Sequence, residues 1–272
     1  MKALIYVNRE KDPENIYLEK IKTILNNAKM DSQVINDNNF EDTISADVLF
    51  VLGGDGTILC VTEFATRNNI PIIGFNVGKL GFLTEFELCE MQTAIDMFKN
   101  GELVVDTRLT MRAEYNGNTY FALNDVVVQR VYIEQPNNRI ISVGVAIDDN
   151  KVDEYVGEGV LVTSPTGSTA FSFAAGGSIL APGTKAFSVT PIASHSFNNR
   201  TVVFSSSCNC SLTLLNSGTA GLFIDGRFVG LLDKNSPVKV TESSISAIFL
   251  RRPNYDFYKI LFNKLKDSRP KI

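Results

Sequence analysis

The chain has 272 residues, 44% of them hydrophobic and 21% charged, which is typical of a soluble globular protein with one large or two ordinary domains. Its formal net charge of −4 disfavours non-specific binding to nucleic acid or to an anionic membrane surface. A single histidine and four cysteines without C-x-x-C spacing exclude the usual zinc sites, and no residue is assigned as a metal ligand.

The first hundred residues alternate between two kinds of apolar pattern. Short runs rich in β-branched and aromatic residues predict strands at 4–7, 34–35, 48–52 and 72–75. Helical spacing around 21–25 and 91–98 predicts helices, so we expect a Rossmann-like α/β domain with a parallel sheet. The opening stretch MKALIYVNRE is too short for a signal peptide or a membrane span, so we expect a cytoplasmic protein.

The stretch VLGGDGTILC at 51–60 places Asp55 in a glycine turn between a predicted strand and a predicted helix. Glycines let the backbone approach a ligand, and a helix N-terminus attracts phosphate. The Asp55 carboxylate would repel such a phosphate by roughly several kcal/mol in a poorly solvated site. It could instead take a proton from an attacking hydroxyl or position a divalent cation, and both roles indicate phosphoryl transfer. The alternative is an ordinary tight turn.

Beyond Gly101 the apolar residues alternate with a period of two, which predicts a β-rich region. Turn candidates are Asn116-Gly117, residues 148–150 and Asp225-Gly226. At the end of the chain, YDFYKILFNKLKD returns to helical spacing and predicts a helix that packs back on the first domain.

The stretch 157–182 gathers serine and threonine hydroxyls around Pro165 and Gly167, before a short Ala-rich, helical piece. Such a loop can offer donors and close backbone approach to a ribose or a phosphate chain. The alternative is a solvent-exposed polar loop.

Six motifs occur in the order seen in NAD kinases. They are GGDGT at 53–57, GFNVGKLGFLTE at 74–85, LND at 123–125, TSPTGSTAF at 163–171, TPIASHSFNNR at 190–200 and IDGR at 224–227. The chain therefore resembles the NAD kinase family over nearly its whole length. Lipid kinases and phosphofructokinases carry elements related to GGDGT, whereas its combination with the PTGSTA loop is specific to the family.

The resemblance implies transfer of the γ-phosphate of ATP, or of polyphosphate, to the 2′-hydroxyl of the adenosine ribose of NAD, giving NADP. Asp55 would be the base that activates this hydroxyl, with Gly56 against the substrate. Positioning and charge neutralisation, the latter by Mg²⁺, would do most of the remaining work.

The resemblance also implies the architecture. An α/β domain of residues 1–101, completed by 248–272, would carry GGDGT. A β-rich, β-sandwich-like domain of residues 102–247 would bind NAD and carry the oligomer contacts, with the active site in the cleft. Family members form dimers or tetramers through the β-rich domain, so we expect a homotetramer, with no nucleic-acid or membrane partner.

Several residues match family positions that contact NAD. Asn124 and Asp125 match an Asn-Glu pair, with an aspartate one methylene shorter. Leu80 and Phe82 match a stretch near the adenine half, with core packing as the alternative. The loop that lines the NAD site corresponds to Thr166, Thr169, Ala170, Phe171, Ser172, Phe173 and Ala174.

Other matches are more isolated. Ala193 lies where a small residue lets the ligand approach. Asp225 matches an aspartate close to the reacting ribose, with a hairpin turn as the alternative. His195 falls in a structural turn, where we expect a buried imidazole. Glu158 stands in the NAD site where aspartate is usual.

Two other functions remain open at this point. A lipid kinase of the diacylglycerol or sphingosine type would need an apolar or basic docking surface, which this acidic, evenly patterned chain does not favour. A catalytically silent NADP-binding regulator is suggested by departures from the family at Asp125, Glu158 and Phe171, which replaces a common tyrosine. The intact GGDGT argues against a regulator.

Overall fold

The computed structural model describes residues 1–41, 43–78, 81–132, 139–195 and 199–267. The chain divides into two compact units, one of Met1–Thr107 with Ala247–Ile272 and one of Arg108–Ser246. Among the described residues, no helix is long and apolar enough to cross a membrane.

The strands among these residues, in chain order, are β1 (Lys2–Val7), β2 (Asp31–Val34), β3 (Val48–Gly53), β4 (Ile72–Asn76), β5 (Phe86–Glu87), β6 (Val104–Arg108), β7 (Met111–Tyr115), β8 (Asn118–Ala122), β9 (Asp125–Arg130), β10 (Ile141–Ile147), β11 (Asn150–Gly157), β12 (Gly159–Thr163), β13 (Ala186–Ile192), β14 (Val202–Ser205), β15 (Cys210–Leu214), β16 (Ala220–Ile224), β17 (Arg227–Leu231), β18 (Pro237–Glu242) and β19 (Ala247–Arg251). The α-helices are α1 (Ile16–Asn27), α2 (Asp55–Arg67), α3 (Met91–Lys99), α4 (Phe171–Ala174) and α5 (Phe257–Asp267). Short 3₁₀ helices span Asp37–Asn39, Leu88–Glu90 and Gly167–Thr169.

The first unit is built on one sheet, in the order β2-β1-β3-β4-β19-β6, with β5 paired to β4. Pairing from β2 through β19 is parallel. The chain moves from β1 to β2 on one side and then to β3 on the other, so the winding reverses at β1. β19 enters the sheet between β4 and β6, which makes the end of the chain part of this unit.

Helices cover both faces of this sheet. On one face, α1 and α3 bury Ile21 and Ile95 against a core that includes Ile5 and Phe50. On the other, Ile58 of α2 packs against Gly74 of β4, where an added Cβ would lie 2.5 Å from the Ile58 side chain. Because both faces are buried, β3 reads as a continuous apolar run rather than as an alternating one.

The second unit contains two antiparallel sheets, β11-β10-β15-β18-β7-β8 and β14-β13-β12-β9-β16-β17. Strands of both sheets contribute to one apolar core, for example Val143 and Leu212 from the first and Val128 and Val162 from the second. The two sheets therefore pack as a sandwich.

Three predicted turns lie at hairpin ends in this unit. Asn116 and Gly117 have φ of 48° and 78°, and Asp148 and Asp149 have φ of 47° and 63°. Positive φ at both central residues is the geometry that asparagine, aspartate and glycine tolerate best. The expected fold class, an α/β part with a β-sandwich-like part, is confirmed.

Candidate active site

Asp55 is the first residue of α2 and follows directly on the glycine turn that ends β3. A Cβ on Gly53 would lie 2.2 Å from Thr57 Oγ1, so this turn closes only with glycine at that position. Gly54 continues in extended backbone before the helix begins. The bend leaves Asp55 at the N-terminus of a 13-residue helix, where free N–H groups and the positive dipole end attract anions.

The carboxylate of Asp55 accepts two backbone hydrogen bonds from a single loop. Phe82 N–H donates to Oδ2 at 2.8 Å, and Leu83 N–H donates to Oδ1 at 3.0 Å. A carboxylate offers roughly four lone-pair sites, so these bonds fix its plane and leave about two sites free. Asp55 is half-buried and lines a cavity, so a free site can accept a proton from a bound hydroxyl.

Two glycines next to this carboxylate differ in the space around them. A Cβ on Gly81 would lie 1.8 Å from Asp55 Oδ1, so the loop approaches the carboxylate only because residue 81 is glycine. A Cβ on Gly56 would meet no described atom within 4 Å. Gly81 is therefore required by the protein's own packing, whereas the open space at Gly56 can take a ligand.

A cavity of about 780 Å³ opens at the carboxyl edge of the first sheet. The segments that follow β1, β2 and β3 line it, which places it at the point where the winding reverses. Open parallel sheets bind ligands at such switch points. The volume is within the usual range for small-molecule sites, roughly 300–1,000 Å³.

The cavity carries charge of both signs. Lys11 Nζ lies 3.2 Å from the position that a Cβ on Gly54 would occupy, above the glycine turn. After β2, the Asp37 carboxylate accepts a hydrogen bond of 2.7 Å from Tyr6 Oη. Lys11 thus brings a positive charge to the helix N-terminus, while Asp37 brings an acceptor to another part of the same cavity wall.

A second group of predicted residues surrounds the turn Leu123–Asp125 in the other unit. The Asp225 carboxylate accepts all three backbone N–H groups of this turn, at 2.8 Å from Leu123, 2.7 Å from Asn124 and 3.0 Å from Asp125. Asp225 and Gly226 have φ of 47° and 79°, as a tight hairpin requires. Asp225 therefore forms the hairpin turn and also fixes the Asn124-Asp125 backbone. Its proximity to a ribose stays a prediction.

The Ser/Thr loop holds the other side of the same turn. Thr163 Oγ1 donates to the Asn124 carbonyl at 2.8 Å, and Ser164 N–H donates to it at 2.9 Å. A Cβ on Gly167 would lie 2.1 Å from that carbonyl, so only glycine fits there. Thr163, Ser164 and Ser168 are fully buried. The loop is therefore not a solvent-exposed polar loop, and these hydroxyls bind the protein itself.

The Asn124-Asp125 turn has unsatisfied polar capacity. Asn124 Oδ1 is buried and has no hydrogen-bond donor in the part of the chain that the structure describes, so it can accept a hydrogen bond from a ligand or a water. Burial raises the pKa of Asp125 to about 7, and the nearby Asp225 carboxylate adds to this shift. Burial also raises the pKa of Asp225, against the opposing effect of the three N–H groups and of Arg227.

The predicted NAD-lining loop divides into buried and exposed residues. Thr166 is buried and its Oγ1 accepts a bond of 3.5 Å from Arg108, while Thr169 Oγ1 donates to the Thr166 carbonyl at 3.3 Å. Ser172 is fully buried. The remaining members, which are exposed and free to meet a ligand, are Ala170, Phe171, Phe173 and Ala174.

Glu158 is held by two neighbours within its own unit. Its carboxylate pairs with Arg130 at 2.8 Å and accepts a bond of 2.7 Å from Tyr132 Oη. The Tyr132 hydrogen bond lowers the pKa of Glu158, and Arg130 lowers it further. An ionised, doubly held carboxylate can still contact a ligand with its free lone pairs.

The remaining predicted residues have mixed outcomes. Ala193 is exposed and has φ of 43°, an unusual value for alanine that leaves its small side chain at the surface. His195 is exposed, so the expectation of a buried imidazole is wrong; the turn after β13 ends at the surface. Phe82 is half-buried and adjoins Asp55, whereas Leu80 lies outside the described residues.

Sequence reasoning missed several residues of these two sites. Lys11 lies in a charged surface segment that gives no motif, and Gly81 is one of many glycines. Only the collision of a Cβ at Gly81 with Asp55 shows what that glycine does. The pairing of Arg130 with Glu158 joins residues 28 positions apart and leaves no signal in the sequence.

The carboxylates near the cavity decide how a magnesium ion could be held. Among the described residues there is no group of three or more His, Cys, Asp or Glu side chains that could hold a metal. Mg²⁺ is commonly held by one or two carboxylates together with substrate phosphates and water. Asp55 therefore fits as a single carboxylate ligand for an ion that arrives with a nucleotide. The described residues offer no separate cluster of protein ligands for a metal.

Comparison with known proteins gives a consistent result over the whole chain. The family model of the ATP-NAD kinase N-terminal domain matches residues 4–103, and that of the ATP-NAD kinase C-terminal domain matches residues 124–252. The chain is 33% identical over 269 residues to the NAD kinase of Caldicellulosiruptor bescii, covering 98% of this chain and 100% of that one. It is 33% identical over 273 residues to the NAD kinase of Clostridium perfringens, covering 96% and 97%.

Two solved structures share the fold at lower identity. An NAD kinase from Archaeoglobus fulgidus in complex with ATP superimposes with a TM-score of 0.80 at 22% identity, covering 99% of this chain and 100% of that chain. Yeast NADH kinase complexed with NADH superimposes with a TM-score of 0.82 at 19% identity, covering 100% and 89%.

Proposed function

Because the chain belongs to the NAD kinase family and transfers the γ-phosphate of ATP to the 2′-hydroxyl of the adenosine ribose of NAD, we propose that Asp55 is the base of this reaction. The observation that carries the proposal is the Asp55 carboxylate, fixed by the N–H groups of Phe82 and Leu83 on the wall of the cavity. The matches to NAD kinases over nearly the full length leave the lipid-kinase and silent-regulator alternatives without support.

In the proposed reaction Asp55 takes the proton of the 2′-hydroxyl while the 2′-oxygen forms a bond to the γ-phosphorus. The bond from that phosphorus to the β–γ bridging oxygen breaks, and ADP leaves. A fixed carboxylate is suited to this step because in-line phosphoryl transfer depends mainly on position and charge compensation. Mg²⁺ bound with the nucleotide would supply charge compensation on the phosphates.

We assign the ATP phosphates to the cavity at the carboxyl edge of the first sheet. The N-terminus of α2 and the ammonium of Lys11 both favour negative charge at the glycine turn. Gly56 leaves open space on that side of Asp55. The helix N-terminus and Lys11 would thus offset the repulsion that the Asp55 carboxylate alone would exert on a phosphate at this turn.

We assign contacts with NAD to the second unit. The unpartnered Oδ1 of Asn124 would accept a hydrogen bond from a hydroxyl or an amino group of the dinucleotide. Asp125, whose pKa lies near neutrality, would donate or accept according to its protonation state. The exposed rings of Phe171 and Phe173 would pack against ring faces of the ligand.

We further propose that the protein is a homotetramer, with contacts in the β-rich unit, and that it acts in the cytoplasm. Two edge strands of the second sheet carry exposed apolar residues that support the first point: Val203 on β14, and Phe228 and Leu231 on β17. All four cysteines are free thiols, in keeping with a reducing compartment.

The test of the base is Asp55→Asn, assayed with ATP, Mg²⁺ and NAD. We expect kcat to fall by about 10²–10⁴-fold, as for the loss of a general base, with KM for NAD changed much less. A kcat close to that of the unsubstituted protein would rule out the role.

The matched control is Asp12→Asn. Asp12 is buried, whereas Asp55 is half-buried, and it likewise accepts two backbone N–H groups, from Tyr17 at 3.1 Å and Leu18 at 2.9 Å. An asparagine keeps only one side-chain acceptor oxygen at either site, so both variants lose comparable backbone support. We expect a similar fall in Tm for the two and a loss of turnover for Asp55→Asn alone.

A further inference from the structure

Arg251, the last residue of β19, is 1% exposed and directs its guanidinium at a single loop, Gly81–Glu85, called here the 81–85 loop. Its Nη2 donates to the Phe82 carbonyl at 3.3 Å, and its Nη1 donates to the Leu83 carbonyl at 3.0 Å. Nη1 also reaches the Thr84 carbonyl at 3.4 Å. Three consecutive carbonyl groups of the loop are thus bound by one side chain.

The guanidinium is itself held from several directions. Its Nε donates to Asp106 at 3.0 Å, and Nη1 lies 3.3 Å from Glu85 Oε2. The rings of Tyr255 and Phe249 lie 4.7 Å and 5.2 Å from its central carbon. A buried guanidinium with two carboxylates and two rings around it has little freedom to rotate, so its donor directions are fixed.

The same loop holds the Asp55 carboxylate through its N–H groups. The Phe82 carbonyl and the Leu83 N–H belong to one peptide group, and they point in opposite directions. Arg251 binds the carbonyl end of that peptide, and Asp55 Oδ1 binds the N–H end. A continuous path of charge-assisted hydrogen bonds therefore runs from the guanidinium through one peptide group to the carboxylate. Bonds in such a chain polarise and strengthen one another.

We propose that Arg251 is a positioning residue for the kinase reaction and acts through the 82–83 peptide to fix the direction of the Asp55 carboxylate. The inference rests on the proposed role of Asp55 as the base. In this proposal Arg251 acts through its bonds to the 81–85 loop, and its contribution is orientation.

The packing around the carboxylate makes turnover sensitive to this loop. Gly81 leaves no free space against Asp55, since even a Cβ there would lie 1.8 Å from Oδ1. A shift of the 81–85 loop therefore moves the carboxylate with it. A misplacement of about 1 Å in a reacting group can cost about 10²-fold in rate.

The experiment compares Arg251→Lys with Arg252→Lys. Lysine keeps the positive charge but has a single nitrogen and no planar fork, so Arg251→Lys cannot hold the carbonyls of Phe82 and Leu83 in the fixed directions that the guanidinium gives them. Its neighbour Arg252 binds the Glu90 carboxylate at 2.7 Å and lies 3.9 Å from that of Glu85, with no carbonyl of the loop among the described partners of its side chain. We expect kcat to fall about 10–100-fold in Arg251→Lys, with KM for NAD and ATP within about 3-fold, and to stay near its original value in Arg252→Lys.

A double-mutant cycle with Asp55→Asn tests the path. If Arg251 acts through Asp55, Arg251→Lys lowers kcat in the original protein but changes it little once Asp55 is asparagine. Equal loss in both backgrounds, or unchanged kcat in Arg251→Lys, would overturn the inference. Unchanged kcat in Asp55→Asn alone would instead overturn the proposed function, so the two failures are distinguishable.

Asp106→Asn provides a second variant should Arg251→Lys not fold. Asp106 binds the Nε of Arg251 and is partly exposed, so the substitution loosens the guanidinium without touching the loop. We expect Asp106→Asn to lower kcat several-fold in the original protein and to leave kcat unchanged in the Asp55→Asn background. A change in Tm without a change in kcat would show that Arg251 only stabilises the unit.

Discussion

Gly56 and Gly81 adjoin the same carboxylate, but only one of them is required by the folded protein. We expect Gly56→Ala to fold with an unchanged or raised Tm, because the added methyl group meets no described atom and alanine is favoured over glycine in a helix by roughly 0.5–1 kcal/mol. Activity should nevertheless fall by about 10-fold or more, since the methyl group occupies space that the proposal gives to the ligand. Steady-state kinetics with thermal unfolding measures both quantities.

Gly183→Ala is the control for this prediction. A Cβ at Gly183 also meets nothing within 4 Å, and Gly183 lies in the other unit. It should leave both Tm and kinetics unchanged. If Gly56→Ala behaves like Gly183→Ala, no ligand approaches Gly56.

The raised pKa of Asp125 predicts how the stability of the protein changes with pH. Its pKa is raised from 3.8 to about 7 in the folded protein, so the folded state binds more protons than the unfolded state between these values. The stability that this group contributes is fully present below about pH 4 and is lost as pH rises through 7. Asp125→Asn should therefore gain stability relative to the original protein as pH rises from 5 to 8, by at most about 3 kcal/mol, because only about two of these pH units lie below the folded pKa and each is worth about 1.36 kcal/mol.

Urea unfolding at a series of pH values between 5 and 9 checks this. Asp149→Asn, at an exposed aspartate in a turn of the same unit, should show a pH dependence parallel to that of the original protein. Parallel curves for Asp125→Asn as well would show that the Asp125 carboxyl titrates normally.

For single residues, the sequence predicts which side chains could take part in a reaction better than it predicts which groups they contact. Asp55 could be recognised as a candidate because a carboxylate in a glycine turn would repel a bound phosphate, so its presence there indicates another role. The sequence predicts that the hydroxyls of Thr163 and Ser164 are ligand donors or solvent-exposed groups, whereas they bind the Asn124 and Leu123 carbonyls. Such long-range partners depend on where strands far apart in the chain come together, which residue spacing does not encode.

Among the elements, α5 also packs against the loop that holds the Asp55 carboxylate. The ring of Phe257 lies 6.1 Å from that of Phe82, and Lys264 Nζ lies 5.0 Å from the Phe82 ring. We expect Phe257→Ala to lower Tm and to reduce kcat several-fold, because Phe82 donates one of the two hydrogen bonds to Asp55. Kinetics and thermal unfolding are the measurements.

The control lies on the same helix. Phe262 is 61% exposed, and Phe262→Ala should change neither kcat nor Tm appreciably. Equal effects of the two substitutions would mean that α5 acts only through general stability.

Element prediction succeeded where the apolar pattern was long and consistent. The strands at 48–52 and 72–75 and the helices around 21–25 and 91–98 are all present, with bounds extended by a few residues. The helix after GGDGT begins at Asp55 itself, because Gly54 precedes it in extended backbone. The entry of β19 between β4 and β6 could not be read from the sequence, since a short apolar strand carries no mark of its neighbours.

For the molecule as a whole, the proposed assembly can be measured directly. Leu231 is 50% exposed on edge strand β17, and burying apolar residues of this kind between copies would favour association. We expect light scattering after size exclusion to give a tetramer for the original protein and a smaller species for Leu231→Glu, in which a charge would be buried.

Val105→Asp serves as the control for assembly. Val105 is 65% exposed on β6 in the first unit, to which the proposal assigns no contact between copies. It should assemble like the original protein. A monomer for the original protein would contradict the proposed tetramer.

The position of β19 has a consequence for synthesis of the protein. Until the ribosome has added residues 247–251, the central sheet of the first unit has a gap between β4 and β6, although the glycine turn and Asp55 were made some 200 residues earlier by the numbering. The second unit is contiguous in the chain and can fold during translation, as domains generally do. A truncated translation product ending before Arg251 would therefore carry the whole β-sandwich but not Arg251, and under the proposals above it would bind NAD without phosphorylating it.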